Sequence, residues 1–377
     1  MRFRLAASFG LGVVLLCSVA GSAAATNESA VISMKMDPLQ GGLFKEAPKP
    51  VNWQIGTEIT TADAEIQPMK QANLSLPDGS LTFNPDPDMA VCQDSEIGPP
   101  PTNVSITVPE AIERCPDSII GNGTATFALA QQTSLPRDGV MIVYNGGRQQ
   151  SGPLKGRPRV KIYAYSYDTG VGVYSEAALS KEGSLDFAVP QLTVDSSVTS
   201  LNLNIPGVPT QLYVESQDLT VDIPAGDDPD YAQARCATGS WRYGAEFLLG
   251  DRDTLNQPTS PTTILNETAV EPCSGATGKA KLASLKVTGP GSVKTGKKGT
   301  YKVTLKNTGT ATARSVRLEV TGKGVSGKAG GGNIAPGKSR TVKIKVKFAR
   351  KGLARVSFKA TAVRTASKTG KVRINVR

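Results

Sequence analysis

Histidine does not occur anywhere in the 377 residues. Its absence removes Ser-His-Asp and Cys-His catalysis, and with them every His-ligated zinc or iron centre. Aromatic residues are scarce, at 5% of the chain, and Trp53 and Trp241 are the only tryptophans. That leaves little ring surface for a sugar-stacking cleft. A Ser-x-x-Lys pair, which could support serine chemistry without histidine, is also missing. Acidic residues nearly vanish after Gly278, where Glu319 stands alone. Long apolar runs are likewise rare: after Leu5–Ala20 no stretch reaches membrane-spanning length.

That first run follows Arg2 and Arg4 and leads into Gly21-Ser22-Ala23-Ala24-Ala25. A basic start, a short apolar centre and small residues at the end are the pattern of a secretory signal peptide over 1–25. Cys17 follows Leu16, where a lipoprotein signal wants a small residue, so it is assigned to the removed segment. The expected mature chain has no transmembrane segment and works outside the cytoplasm, extracellular or at the cell surface. Four cysteines then remain: Cys92, Cys115, Cys236 and Cys273. An even number in an exported chain reads as two disulfides, and pairing of sequence neighbours is favoured, Cys92 with Cys115 and Cys236 with Cys273. Loops of that size contribute roughly 3–4 kcal/mol each in the chain-entropy view.

Charge divides the chain. From Gly278 there are 26 lysines and arginines against one acid, whereas Thr26–Thr277 carries 15 bases against 31 acids. The overall net charge of +11 therefore joins a body near −16 to a tail near +25. The expected organisation is an acidic domain over 26–273, a small, polar and flexible linker over 274–281, and a basic domain over 282–377.

Both domains read as β-structure. In the body, Arg159–Tyr165 and Leu201–Ile205 alternate with period two, and Val140-Met141-Ile142-Val143-Tyr144 is a continuous apolar run closed by Asn145-Gly146-Gly147. One short helix is expected at Pro109–Arg114, with proline and an acid in its first turn. In the tail, Tyr301–Lys306, Val342–Phe348, Val356–Ala360 and Val372–Val376 alternate in the same way. About seven short strands in roughly a hundred residues make an immunoglobulin-like sandwich. The fold class is therefore all-β: a disulfide-containing β-sandwich followed by a smaller, cysteine-free immunoglobulin-like one. Lys306-Asn307-Thr308-Gly309, Ala313–Leu318 and Ile334-Ala335-Pro336-Gly337-Lys338 resemble a CARDB-type bacterial surface domain. The resemblance implies a β-sandwich appended to exported proteins as a spacer or adhesion-related module. Leu76–Gly79, Cys115–Ala125 and Cys236–Trp241 resemble exported actinobacterial proteins of unknown function, which implies no activity.

Several motifs mimic chemistry. Gly332–Ser339 matches the phosphate-loop pattern, but a period-two strand follows where a helix is required, and Pro336 removes a backbone donor. A strand-connecting turn is expected. Asn84-Pro85-Asp86-Pro87-Asp88 spaces oxygen side chains like a calcium loop, yet Met89 and Ser95 stand where that loop needs Gly and Glu. Asp227-Asp228-Pro229-Asp230 is a second acidic turn. A glycosidase needs only two carboxylates, and Glu176, Glu182, Glu215 and Glu246 are available, but nothing in the sequence pairs them. No catalytic residue, cofactor site or metal site is assigned.

The functional expectation is a non-enzymatic binding or structural protein, its basic domain held on an anionic envelope polymer or polysaccharide. Lys343, Lys345 and Lys347 are the candidate polyanion-binding residues, since their spacing sets all three on one face of a strand. Nucleic acid is not an expected partner after export. The alternative is a carbohydrate-active enzyme using a carboxylate pair, with the basic sandwich as its accessory.

Overall fold

The computed structural model describes residues 27–77, 79–85, 87–190, 196–214, 217–252 and 258–377, with backbone only at 251–252 and 258–261. The expected signal segment, including Cys17, and Asp78, Asp86 and Glu215 lie outside the described residues.

The longer strands of the body are β1 (Glu28–Pro38), β2 (Lys49–Thr61), β3 (Met69–Ser75), β4 (Ile119–Ala128), β5 (Pro136–Arg148), β6 (Pro158–Ser166), β7 (Val171–Ala178), β8 (Ser184–Ala188), β9 (Ser197–Ile205), β10 (Ser240–Arg252) and β11 (Pro258–Pro272). A large antiparallel sheet runs β1-β2-β9-β4-β5-β6-β7, extended by short strands at its ends. A four-stranded sheet, β8-β3-β10-β11, faces it. The sheets meet at both margins. Ser175 of β7 donates its hydroxyl to Ala188 O of β8 at 2.5 Å, and Met34 N of β1 donates to the Tyr243 hydroxyl of β10 at 3.1 Å. The body is a sandwich closed at its edges around one apolar interior.

The run Val140–Tyr144 shows how sequence pattern and layering connect. All five side chains are 0% exposed. Met141 and Val143 enter the cluster between the two sheets, while Val140, Ile142 and Tyr144 enter a second cluster on the outer face of the large sheet. A strand covered on both sides has no wet positions, so alternation disappears. The outer cover consists of a helix, α2 (Val108–Arg114), after a one-turn helix, α1 (Asp94–Ile97), together with the hairpin Thr210–Val214/Leu219–Ile223. Thr107 caps α2, accepting from Glu110 N at 3.4 Å. The disulfides are Cys92–Cys115 at 2.01 Å and Cys236–Cys273 at 2.03 Å. The first ties α1 to the end of α2 over the outer cluster; the second ties the start of β10 to the end of β11.

The basic domain has β12 (Leu282–Thr288), β13 (Lys298–Asn307), β14 (Ala313–Gly322), β15 (Val325–Ile334), β16 (Ser339–Phe348), β17 (Gly352–Ala362) and β18 (Thr365–Val376). One hydrogen-bonded order, β12-β13-β16-β15-β14-β17-β18, folds into two layers around a separate apolar cluster. The layers β12-β13-β16 and β15-β14-β17-β18 join where β15 and β16 pair, through Val325–Phe348 and Ser326–Lys347. Asn307 serves the core as its one buried amide. Its side chain donates to Ala311 O and Ile334 O and accepts from Lys281 N and Gly309 N.

The linker differs from the flexible segment expected. Gly275–Ala276 pairs in parallel with Leu43–Phe44 of the body. Thr310 N and Thr308 N donate to Lys279 O and Lys281 O in the basic domain. Small residues suited 274–281 to flexibility, but they also let its backbone lie close to both neighbours, and tertiary hydrogen bonds took it up.

Candidate functional site

The exposed face of β12-β13-β16 is the strongest candidate. Along β16, Val342, Ile344, Val346 and Phe348 are buried, and Lys343, Lys345 and Lys347 are exposed. The antiparallel register then adds what sequence alone could not align. Lys298 lies opposite Lys347, Thr300 opposite Lys345 and Lys302 opposite Lys343. Lys306 continues the same face of β13, and Lys286 contributes from β12, opposite Thr304. Seven lysines thus share one exposed layer. None has a carboxylate within ion-pair distance among the described residues.

Two structural facts sharpen this face. The domain's lone acid, Glu319, sits on β14 in the other layer, in register with Lys328 on one side and Lys359 on the other. It reaches Lys328 at 3.3 Å. Lysines are often explained as guards of a sheet edge. Here Lys302 and Lys306 of β13 and Lys347 of β16 are paired with strands on both sides and have no edge to guard. Like charges directly opposite each other cost stability. Lys298–Lys347 and Lys302–Lys343 are two such pairs.

The other sequence motifs are placed as follows. Gly332–Ser339 spans the end of β15, the turn 335–338 and the start of β16, with Lys338 N donating to Ala335 O at 3.2 Å; no helix follows it. Pairing of Leu81–Phe83 with Ala232–Ala234 brings the two acidic turns side by side, and Asn84 N donates to Tyr231 O at 2.8 Å. Asp228 there accepts from Asp230 N at 2.8 Å, an ordinary turn contact. Glu176 is bound to Arg159 at 3.0 Å, Glu246 points outward from β10, and Glu182 is exposed beside the β7–β8 turn. They lie on β7, at the β7–β8 turn and on β10. Cys92, Glu96 and Cys115 cluster closely, but both sulfurs are in the disulfide and offer no thiolate.

Sequence reasoning missed Lys161. It alternates with Tyr163 and Tyr165 on a face that reads as solvent-exposed, yet its side chain is 0% exposed. It donates to Cys92 O at 3.0 Å, pairs with Asp94 and lies over the Tyr174 ring at 5.6 Å. Burial pushes the Tyr163 and Tyr174 hydroxyls far above the ordinary tyrosine value and that of Tyr167 up to about 12. These phenols stay protonated and act as structural groups. No helix among the described residues is long and apolar enough to cross a membrane.

Comparison with known proteins agrees with the reading of the C-terminal part. Residues 282–367 match the CARDB family model, and this segment is a CARDB-type domain. No curated protein matches the chain. Among solved structures, red sea bream transglutaminase aligns at 10% identity over 93% of this chain and 31% of its own, with a TM-score of 0.24. Trypsin-activated alpha-2-macroglobulin from Escherichia coli aligns at 10% identity over 93% and 33%, with a TM-score of 0.20. The chain spans about a third of the length of either.

Proposed function

We propose that this is a secreted or cell-surface protein without enzymatic activity, whose basic domain retains it on an anionic envelope polymer. The observation that carries the reading is the seven-lysine layer, free of acids and built partly on interior strands. On the other layer Glu319 stands between Lys328 and Lys359, whereas the seven-lysine face holds no acid. An unbalanced field attracts polyanions and concentrates them at the surface. The two disulfides suit an oxidising compartment. The lack of histidine and the pairing of Glu176 with Arg159 support the non-enzymatic reading.

The test is a salt titration of the full chain against a phosphodiester wall polymer, an anionic vesicle and a neutral glycan. Binding to the wall polymer that falls steeply with salt is expected, as counterions released on binding are resupplied. Reversing Lys343, Lys345 and Lys347 to Glu should weaken it about tenfold or more. Equal binding to the neutral glycan, or insensitivity to salt, would refute the proposal. Turnover of any glycan, lost on replacing a single carboxylate, would establish an enzyme instead.

A further inference from the structure

The lysine layer has a counterpart on the back of the same domain. The outer face of β15-β14-β17-β18 carries Lys328, Arg317, Lys359, Arg355, Lys371 and Arg373, all exposed, against the single acid Glu319. Strand register sets them on one side. Lys328, Glu319 and Lys359 form a row across β15, β14 and β17, Ser357 lies opposite both Thr321 and Lys371, and Arg355 lies opposite Arg373. Arg317 stands two residues before Glu319 and shares its side of β14 by alternation. The residues between them, such as Leu318, Val320, Val356 and Phe358, point the other way and belong to the core.

Glu319 balances only one end of this face. It stands opposite Lys359, and Arg355 lies four residues further along β17, about 13 Å away along the strand. That exceeds the Debye length of about 8 Å at physiological salt. Arg355, Lys371 and Arg373 therefore make a cationic cluster of their own, with no carboxylate within ion-pair distance among the described residues. Arg355 directly opposite Arg373 is a like-charge pair that costs stability, as Lys298–Lys347 and Lys302–Lys343 do on the front. The fold accepts the same kind of cost on both layers. Each guanidinium also offers a planar fork that meets two oxygens of a phosphate at once, which an ammonium cannot do.

We propose that the basic domain is bivalent: it holds one phosphodiester chain on the lysine layer and a second on the arginine-bearing layer behind it, and so bridges the two. The proposal rests on the reading of the lysine layer as a polyanion surface and adds a second surface to it. Sheets of a sandwich stack about 10 Å apart, so the two basic faces look in opposite directions and a straight segment of polymer touches only one. Two attachments to one network turn the second binding event into an intramolecular one, which holds a protein far longer than either face alone.

The experiment places the full chain at low density on immobilised poly(glycerol phosphate), then offers labelled poly(glycerol phosphate) or labelled dextran. The wild type should capture the labelled polyphosphate and leave the dextran. Two triple variants separate the faces: Lys343→Glu with Lys345→Glu and Lys347→Glu, and Arg355→Glu with Lys371→Glu and Arg373→Glu. Loaded to equal density, each should capture the labelled polymer about tenfold less than the wild type. If thermal denaturation shows that a Glu variant does not fold, Gln at the same positions makes a smaller charge change and should lower capture in the same direction. A wild type that does not bind the immobilised polymer would overturn the polyanion reading and the bridging with it. Binding of the first chain without capture of a second would overturn bridging alone, as when one chain wraps both faces. Full capture by either triple variant would overturn it too, since one face, or two copies of the protein, would then suffice.

Discussion

The acidic body and the basic domain are both two-layered β-structures, yet they are stabilised by different means. The body covers its large sheet on both faces, buries a row of tyrosines under α2 and the 210–223 hairpin, and is cross-linked twice. The basic domain has a single core, no cysteine and outer faces open to solvent on both layers. The body can therefore tolerate a polar group such as Lys161 deep in its outer cluster, because a carbonyl, a carboxylate and a ring surround it. The basic domain keeps every lysine outside and relies on packing alone. This contrast teaches that the charge asymmetry follows the layering. Inside the body a charge is admitted where partners meet it; in the basic domain charges stand unpaired on the outer faces of both layers.

The contrast is broken most sharply by attacking the unbridged core. Phe348→Ala removes a fully buried ring packed against Tyr301, at 6.3 Å between centroids. A loss of about 3–5 kcal/mol is expected, enough to unfold a small sandwich. Thermal denaturation should show the basic domain's transition displaced or gone while that of the body stays.

Removing the cross-link of the body comes next. Replacing Cys236 and Cys273 together by Ser should lower its stability by roughly 3–4 kcal/mol, read as a shift in the denaturant midpoint under non-reducing conditions. The basic domain, with no cysteine, should melt unchanged. A common shift of both transitions would mean that the two units unfold together and that the comparison is too sharp.

A smaller effect separates binding from folding on the lysine layer. Lys343→Glu turns the opposed pair Lys302–Lys343 into one of opposite charge. Stability should rise by about 0.2–1 kcal/mol, while affinity for a wall polymer falls. A variant that both destabilises and leaves binding intact would show the lysines to be structural.

The smallest effect lies at the contact between the two regions. Glu46 accepts from Thr312 N at 2.6 Å and lies 3.6 Å from Arg314. The hydrogen bonds from Thr312, assisted by Arg314, hold its carboxyl below the ordinary glutamate value. A lowered value means the contact is at full strength above the ordinary carboxyl range and is lost as pH falls through the lowered value. Cleavage of the 274–281 segment by an acid-tolerant protease should increase at low pH, and Glu46→Gln should flatten that dependence. Because the group is partly solvated, the change should be modest.

Much of this architecture was legible because it rests on local rules. Period-two alternation with lysines outward placed β16 and its buried face, since a strand wet on one side must alternate. The cysteine pairs followed from their spacing and even number. The brief helix at 109–114 was visible from its proline and acid, and it begins one residue earlier, at Val108. Other features had no local signal. α1 is a single turn, too short to show a periodicity. Lys161 obeys the alternation rule, and only the cover laid over its strand by distant segments made it buried. The linker was small and polar in composition, but hydrogen bonds to residues far along the chain hold it.

The sequence by itself determined the all-β class, the division of charge at residue 278, the disulfide partners and the lysine-bearing face of β16. Each depends on residue type and spacing within one stretch of chain. Tertiary structure alone decided which lysines stand opposite Lys343 and Lys347, that Glu319 lies on the other layer, and that Lys161 is buried. Each of these depends on strand register or packing between residues tens of positions apart. Local pattern sets which way a side chain faces; only the assembled sheets set what it faces.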